Sequence, residues 1–76
     1  MREYVEYIAK SLVDHPDQVT VTETASEQGT VIRLSVPKED RGKVIGRQGR
    51  TARALRTLVS AASARQGSHT LLEIEE

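Results

Sequence analysis

The 76-residue sequence contains no cysteine, which excludes disulfide bridges, thiolate metal ligands and a cysteine nucleophile. No apolar run approaches the ~20 residues that a membrane-spanning helix needs. The N-terminal segment mixes charged with apolar residues and lacks the apolar core of a signal peptide. We therefore expect a soluble, cytoplasmic protein, and we assign residues 1–76 to one small domain.

Residues with catalytic chemistry are also scarce. The two histidines, His15 and His69, have no evident partners for metal binding or for acid–base work. Neither of the glycine-rich patterns of nucleotide-binding enzymes, G-x-G-x-x-G and G-x-x-x-x-G-K-[ST], occurs. The sequence therefore predicts a protein that is not an enzyme and that uses no metal, cofactor or small-molecule substrate.

Aromatic residues are limited to Tyr4 and Tyr7, with no phenylalanine or tryptophan. Nucleic-acid binders that stack bases on a sheet or in an OB-fold need aromatic side chains for that purpose. This absence argues against a stacking platform.

The net charge is zero, but the charges are unevenly distributed. The first 40 residues contain eight acidic and four basic residues, and the last four residues add three acids. Between Arg41 and Leu72 there is no acidic residue, and there are seven basic ones. Because the local potential governs a contact more than the net charge does, this segment predicts a basic surface suited to a polyanion.

The hydrophobic pattern predicts six elements of secondary structure. Apolar residues at helical spacing indicate a helix over about residues 2–14. Two Val- and Thr-rich segments, 18–25 and 30–36, are separated by a short turn and predict an antiparallel hairpin. The chain is completed by a short helix over 38–45, a longer helix over 50–66 and a strand over 69–75.

This order of elements predicts an α+β fold in which a three-stranded sheet carries three helices on one face. Gly42 lies inside the short helix, where glycine lowers helix stability by ~1 kcal/mol relative to alanine. We interpret this glycine as allowing a close backbone contact with a neighbouring element. The predicted core positions of the last helix and strand are Leu55, Leu58, Val59, Leu72 and Ile74.

The segment KVIGRQGRTARAL, residues 43–55, joins the two later helices through Gly46 and Gly49. A helix start presents unpaired N–H groups and a partial positive charge, which suits an anion. Glycine allows a phosphate to approach the backbone closely. The flanking positive charge comes from Arg47, Arg50 and Arg53. The segment therefore predicts a phosphate-binding loop.

This segment resembles the KH domain, a single-stranded nucleic-acid binder. The family pattern is an apolar pair, then G-x-x-G, then apolar residues three and six positions on. In this chain it falls on Val44-Ile45, Gly46-Arg47-Gln48-Gly49, Ala52 and Leu55. The element order is similar to the bacterial type II arrangement, and DRGKVIGRQGRTARALRTLVSAA resembles the small stand-alone bacterial KH proteins of the KhpA family. The resemblance covers nearly the whole chain and implies a single type II KH domain.

The resemblance implies that the loop grips the backbone of single-stranded RNA through amides from Gly46 to Arg50. Ala52 stands where the family commonly has a larger aliphatic residue, which predicts a shallower groove wall, and Val44 is a further expected groove contact. Arg56 and Arg65 are interpreted as solvated helix charge. The expected RNA-binding residues are Lys43, Ile45, Gly46, Arg47, Gln48, Gly49, Arg50, Ala52 and Arg53.

Small residues line a second face of the longer helix, namely Ala54, Thr57, Ala61 and Ala64. Without stacking aromatics, one domain should bind RNA weakly and with little sequence preference, so affinity would come from pairing domains. We interpret this face either as ordinary surface alanines or as a contact in a homodimer or in a heterodimer with another KH-containing protein.

By resemblance, the protein is expected to be an RNA chaperone or post-transcriptional regulator that acts with a larger KH-containing partner and is linked to cell-envelope homeostasis. Two alternatives stay open. One is a protein-interaction module with a vestigial RNA groove, and the other is a ribosome-assembly factor. Intact Gly46 and Gly49 with basic neighbours favour RNA binding over the interaction module.

Overall fold

The computed structural model describes residues 1–75, and its elements follow one another in the predicted order. The helices are α1 (Arg2–Leu12), α2 (Arg41–Ile45) and α3 (Arg50–Arg65), and the strands are β1 (Thr20–Ser26), β2 (Gly29–Ser35) and β3 (Thr70–Ile74). Single 3-10 turns over Pro16–Gln18, Lys38–Asp40 and Arg47–Gly49 precede β1, α2 and α3. Within residues 1–75, none of the helices is long and apolar enough to span a membrane.

The three strands form one mixed sheet in the order β1-β2-β3. β1 and β2 pair antiparallel, which confirms the predicted hairpin, and β2 and β3 pair parallel. In this register Leu34 lies between Val21 and Ile74. Because β2 and β3 are parallel, their carboxyl ends lie at the same end of the sheet. The chain leaves β2 at that end and continues into α2. The predicted α+β fold of the type II KH arrangement is confirmed.

The core lies between the sheet and the three helices. Along β2, Ile32 and Leu34 are buried while Arg33 between them is exposed, which follows the two-residue period of a strand with one covered face. Every helix and strand contributes to the cluster, which consists of Val5, Ala9, Val19, Val21, Ile32, Leu34, Val36, Val44, Leu55, Val59 and Leu72.

One predicted helix end and one predicted core position differ clearly from the structure. α1 ends at Leu12 rather than near residue 14, because Val13 already has an extended backbone. Leu58 is 47% exposed, so its assignment to the core is wrong. One residue in a helix is a rotation of about 100°, and α3 packs through Leu55 and Val59, which leaves Leu58 at the side of the helix. Ile74 is half-buried and packs against the core.

Gly42 does not make the close contact expected of it. A Cβ built at Gly42 would meet nothing within 4 Å, so that interpretation is wrong, and nothing in the structure explains the glycine. Its carbonyl accepts a 2.8 Å hydrogen bond from the Gly46 N–H, which closes the short helix α2.

A hydroxyl cluster with two buried members, Ser63 and Thr70, was not predicted. Ser63 is part of the buried line of α3, and its Oγ lies 2.8 Å from Thr70 Oγ1 and 3.0 Å from Ser68 Oγ. The cluster joins the end of α3 to the start of β3 with its hydroxyl groups hydrogen-bonded to one another, which avoids the cost of burying an unpaired hydroxyl.

Candidate nucleic-acid interface

The loop between α2 and α3 is a single turn held in an unusual backbone conformation. Positive φ angles occur at Gly46 (77°), Gln48 (56°) and Gly49 (74°). Within residues 1–75, Gln48 is the one non-glycine residue with a positive φ. Residues other than glycine rarely adopt this left-handed backbone region. The conformation of Gln48 therefore depends on contacts that hold the loop in place.

The two glycines have different roles. A Cβ at Gly46 would lie 2.3 Å from Thr51 Oγ1 and 2.9 Å from the Thr51 backbone nitrogen, so any side chain there would collide with the first turn of α3. A Cβ at Gly49 would meet only Arg53 Nη2, at 3.9 Å. Gly46 therefore makes room for Thr51, whereas Gly49 leaves the backbone open to a ligand.

Only some of the loop amides are available to a ligand. The N–H of Gly46 donates to Gly42, that of Gly49 donates to the Gly46 carbonyl at 3.1 Å, and that of Arg50 donates to the Arg47 carbonyl. In the described part of the chain, the N–H groups of Arg47 and Gln48 have no such partner. Of the five amides from Gly46 to Arg50 that were expected to bind an anion, these two are therefore the candidates.

Four arginines surround the loop and follow it along α3: Arg47, Arg50, Arg53 and Arg56. All four are exposed, and none has a carboxylate within 4.0 Å among residues 1–75. Arg53 Nη2 donates to the Gln48 carbonyl at 2.9 Å, and Arg56 Nε donates to the Leu72 carbonyl at 3.3 Å. Within the described residues, their positive charge is therefore not neutralised by an ion pair.

A groove of about 490 Å³ opens beside the loop, between α3 and β3. Its apolar lining comes from Ile45, Ala52 and Ile74, and its basic lining comes from Arg53 and Arg56. The groove wall on the sheet side, which the sequence left unassigned, is therefore Ile74. Val44 is fully buried in the core, so its expected contact with a ligand is wrong.

Lys43 lies in a different electrostatic setting from the arginines. Its Nζ is paired with the carboxylate of Asp14 and lies 4.0 Å from Asp40 Oδ1. Asp14 follows α1, so this pair ties α2 to the first helix. The hydrogen bond with Asp14 raises the pKa of Lys43 above its ordinary 10.5.

Asp40, immediately before α2, is a buried carboxylate that the sequence analysis did not select. It is 1% exposed, and its Oδ2 accepts hydrogen bonds from the backbone N–H of His15 at 3.0 Å and from His15 Nδ1 at 2.9 Å. Its Oδ1 has no hydrogen-bond partner in the described chain. The link fixes the start of α2 against the segment that follows α1.

The pKa values of this pair shift in opposite directions. Burial alone would raise the pKa of Asp40, but the hydrogen bonds from the His15 imidazole and backbone outweigh it, and the pKa lies below 3.8. The same hydrogen bond, together with the negative charge of Asp40, raises the pKa of His15 above 6.5. Each partner thus favours the charged form of the other.

The structure brings most of the predicted site residues together. Ile45, Gly49, Ala52 and Arg53 line the groove, while Arg47, Gln48 and Arg50 form or adjoin the loop. Arg56 and Ile74 were missed as groove residues. Arg56 lies four positions after Ala52, and this helical spacing placed both on one face. No signal in the sequence showed that the carboxyl end of β3 would face the loop.

The small-residue strip of α3, defined as Ala54, Thr57, Ala61 and Ala64, is exposed along its whole length. Ala61 also lines a cleft of about 260 Å³ with Tyr4 and Leu58, between α1 and α3. The strip is thus separate from the core, as the helical pattern predicted.

A comparison with protein-family models matches residues 2–74 to the model described as KhpA/KhpB, KH domain. The chain belongs to the KhpA/KhpB family of KH domains. Within the matched range, the segment from Gly46 to Gly49, between the second and third helices, carries the pattern G-x-x-G.

Curated relatives match the KH domain over nearly their full length. The RNA-binding protein KhpA of Clostridium acetobutylicum is 49% identical over 74 residues, which cover 97% of this chain and 99% of the relative. That of Aquifex aeolicus is 49% identical over 76 residues, covering 100% and 96%. That of Listeria monocytogenes serovar 1/2a is 46% identical over 76 residues and covers both chains completely. The search of solved structures found no significant match.

Proposed function

We propose that this KH domain binds single-stranded RNA by its phosphate backbone at the G-x-x-G loop. The observation that carries this proposal is the convergence beside an apolar groove of two kinds of group: two N–H groups and several arginines that have, among residues 1–75, no backbone acceptor and no carboxylate partner respectively. The relatives that match the chain over its length are named RNA-binding proteins, which supports the same class of ligand.

In the proposed complex, the N–H groups of Arg47 and Gln48 donate to a phosphate, because they are the loop amides without a backbone acceptor in the described chain. The guanidinium groups of Arg50 and Arg56 add charge along the path of the strand. Bases enter the groove over Ile45, Ala52 and Ile74. The proposed interface is the predicted set Lys43, Ile45, Gly46, Arg47, Gln48, Gly49, Arg50, Ala52 and Arg53, to which the groove adds Arg56 and Ile74. Within this set Lys43 lies at the edge and is expected to contribute least, because its charge is paired with Asp14 and Asp40.

Little base preference is expected from this surface. The groove has no aromatic side chain on which a base could stack, and stacking supplies about 1–3 kcal/mol per base in proteins that use it. Phosphate contacts carry no sequence information. We therefore expect weak binding that depends strongly on salt and weakly on sequence.

Two domains together would compensate for weak binding by one. The small-residue strip of α3 is exposed and lacks charge, so it would allow close packing against the same face of a second copy or of another KH-containing protein. Sedimentation of the pure chain tests the homodimer: a dimer that dissociates in Ala61→Glu supports it, and a monomer at high concentration contradicts it.

The resemblance to the KhpA family supports a cellular role as a non-enzymatic, cytoplasmic RNA chaperone or post-transcriptional regulator. It also supports a larger KH-containing partner and a link to cell-envelope homeostasis. Co-sedimentation with ribosomal particles would instead favour ribosome assembly.

The test of RNA binding is a charge reversal in the loop with a matched control. Arg47→Asp with Gln48→Asp places two carboxylates where phosphate is expected. The same dipeptide recurs as Arg65 and Gln66 at the far end of α3, also exposed. Arg65→Asp with Gln66→Asp therefore makes the same change in net charge away from the loop.

The loop variant should lose at least about 100-fold in affinity for a short single-stranded RNA, since repulsion replaces two or more phosphate contacts. The control should lose about threefold or less, through the net charge alone. Both variants are compared with wild type in thermal unfolding. Equal losses in the two variants, with unchanged stability, would contradict the loop mechanism.

A further inference from the structure

The conformation of the loop depends on the peptide group between Gln48 and Gly49. Its N–H donates to the Gly46 carbonyl at 3.1 Å. Its C=O accepts from Arg53 Nη2 at 2.9 Å. The peptide is therefore held at both ends, and it directly follows the left-handed residue Gln48.

Its side-chain hydrogen bond to the loop backbone distinguishes Arg53 from the neighbouring arginines. Arg50 reaches the same residue only through a long contact of 3.5 Å to the Gln48 side chain, and the side chain of Arg47 makes no hydrogen bond within residues 1–75. The Arg53 guanidinium also lies beside Gly49, where a Cβ would be 3.9 Å from Nη2. One of the donors of Arg53 is thus already engaged with the loop backbone.

We propose that Arg53 is a positioning residue: it fixes the left-handed turn at Gln48 and thereby presents the N–H groups of Arg47 and Gln48 to a phosphate. The inference rests on the proposed function for its ligand, but the loop geometry that it invokes exists in the RNA-free protein. Arg53 acts through the backbone of the loop, whereas Arg50 contributes charge.

A loop that is held before binding loses less conformational freedom when RNA binds. If the competent conformation falls to about one tenth of the population, the apparent affinity falls about tenfold with no phosphate contact removed. Loss of a phosphate contact instead reduces the slope of log affinity against log salt by about 0.7 for a single strand. The two roles therefore have different signatures.

The experiment compares Arg53→Gln and Arg53→Lys with the matched control Arg50→Gln, after thermal unfolding has shown that each variant folds. Backbone order parameters of Gln48 and Gly49 are measured by 15N relaxation without RNA. Affinity for a short single-stranded oligoribonucleotide is measured over a range of salt concentrations. Arg53→Lys retains the charge but not the planar fork of donors.

Both Arg53 variants should lower the order parameters at Gln48 and Gly49 from about 0.85 to below about 0.6. They should also weaken RNA binding about tenfold with an unchanged salt slope. Arg50→Gln should leave the order parameters unchanged and reduce the slope by about 0.7.

Unchanged order parameters in Arg53→Gln would overturn the positioning role, whatever the wild type binds. A reduced salt slope in Arg53→Gln, with full affinity in Arg53→Lys, would overturn it in favour of a direct phosphate contact. Failure of the wild type to bind RNA, with lowered order parameters in the variants, would instead contradict the proposed function.

Discussion

The two sides of the G-x-x-G loop both carry a loop glycine and basic residues, but these lie in different surroundings. On the upstream side, defined as Asp40 to Gly46, Lys43 is paired with carboxylates and Gly46, unlike Gly42, is packed against Thr51. On the downstream side, defined as Gly49 to Arg56, the glycine is open and the arginines have no acidic partner in the described chain. The upstream side thus anchors the loop, and the downstream side is free to contact a ligand.

The comparison shows why a count of basic residues overstates a binding surface. Lys43 and Arg50 flank the same loop and both were expected to face RNA. The fold brings Asp14 to Lys43 from a distant part of the chain, beside the nearby Asp40, and among residues 1–75 it brings no carboxylate within 4.0 Å of Arg50. The charge available to a ligand is therefore decided by tertiary structure.

The largest expected difference between the sides is in stability. Gly46→Ala should lower the free energy of unfolding by about 2–4 kcal/mol, since strain at positive φ adds to the collision with Thr51. Gly49→Ala should cost about 1 kcal/mol, from φ alone. Urea unfolding of the two variants measures both. Equal costs would contradict the difference in packing between the glycines.

The next difference is in RNA affinity. Arg50→Gln should weaken binding about three- to tenfold and reduce the salt slope by about 0.7, as expected for one lost phosphate contact. A fluorescence-anisotropy titration at several salt concentrations measures both quantities. An unchanged affinity would show that the uncompensated charge of the downstream side does not contact RNA.

The third difference is in pH dependence. The folded pKa of His15 is raised above 6.5, so its contribution to stability is complete below pH 6.5 and is lost as pH rises through the raised pKa. The folded pKa of Asp40 is lowered below 3.8, so its contribution is present above pH 3.8 and is lost as pH falls through the lowered pKa.

The pair should therefore stabilise the protein most between about pH 4 and 6.5. His15→Ala should reduce this pH dependence in thermal unfolding. RNA affinity should stay nearly constant between about pH 6 and 8, because arginine remains protonated there. A fall in affinity that follows the titration of His15 would show that the anchoring side also controls binding.

The smallest effect is expected at Lys43. Lys43→Gln should change RNA affinity less than about twofold, because its charge is already paired within the protein. Its melting temperature should fall slightly through loss of the pair with Asp14. Anisotropy and thermal unfolding in parallel, with Arg50→Gln as the comparison, test this. A loss equal to that of Arg50→Gln would remove the distinction between the two sides.

Local patterns in the sequence were sufficient for the order of elements, the hairpin and the loop. The two-residue period of β2 and the spacing of Leu55 and Val59 on α3 depend on one element at a time. The assignment of Leu58 to the core was wrong because the position of α3 over the sheet decides which side of the helix is covered. Without knowledge of that position, the sequence cannot show which of two adjacent helical residues, such as Leu58 and Val59, is the more buried.

The parts of the site that could not be predicted depend on contacts between different elements, most of them far apart in the chain. The burial of Asp40 depends on His15, 25 residues earlier in the chain. The place of Ile74 in the groove depends on the parallel pairing of β3 with β2. The roles of the two glycines differ because Thr51 occupies the space beside Gly46 alone. None of these contacts has a local pattern in the sequence.

The most direct test of the central claim is a 15N–1H correlation spectrum of the wild-type chain titrated with a short single-stranded RNA. The account predicts the largest shifts at the backbone amides of Arg47 and Gln48, with smaller shifts around Ile45, Ala52 and Ile74 in the groove. Shifts confined to the uncovered face of the sheet, around Val31 and Leu71, with the two loop amides unmoved, would contradict it.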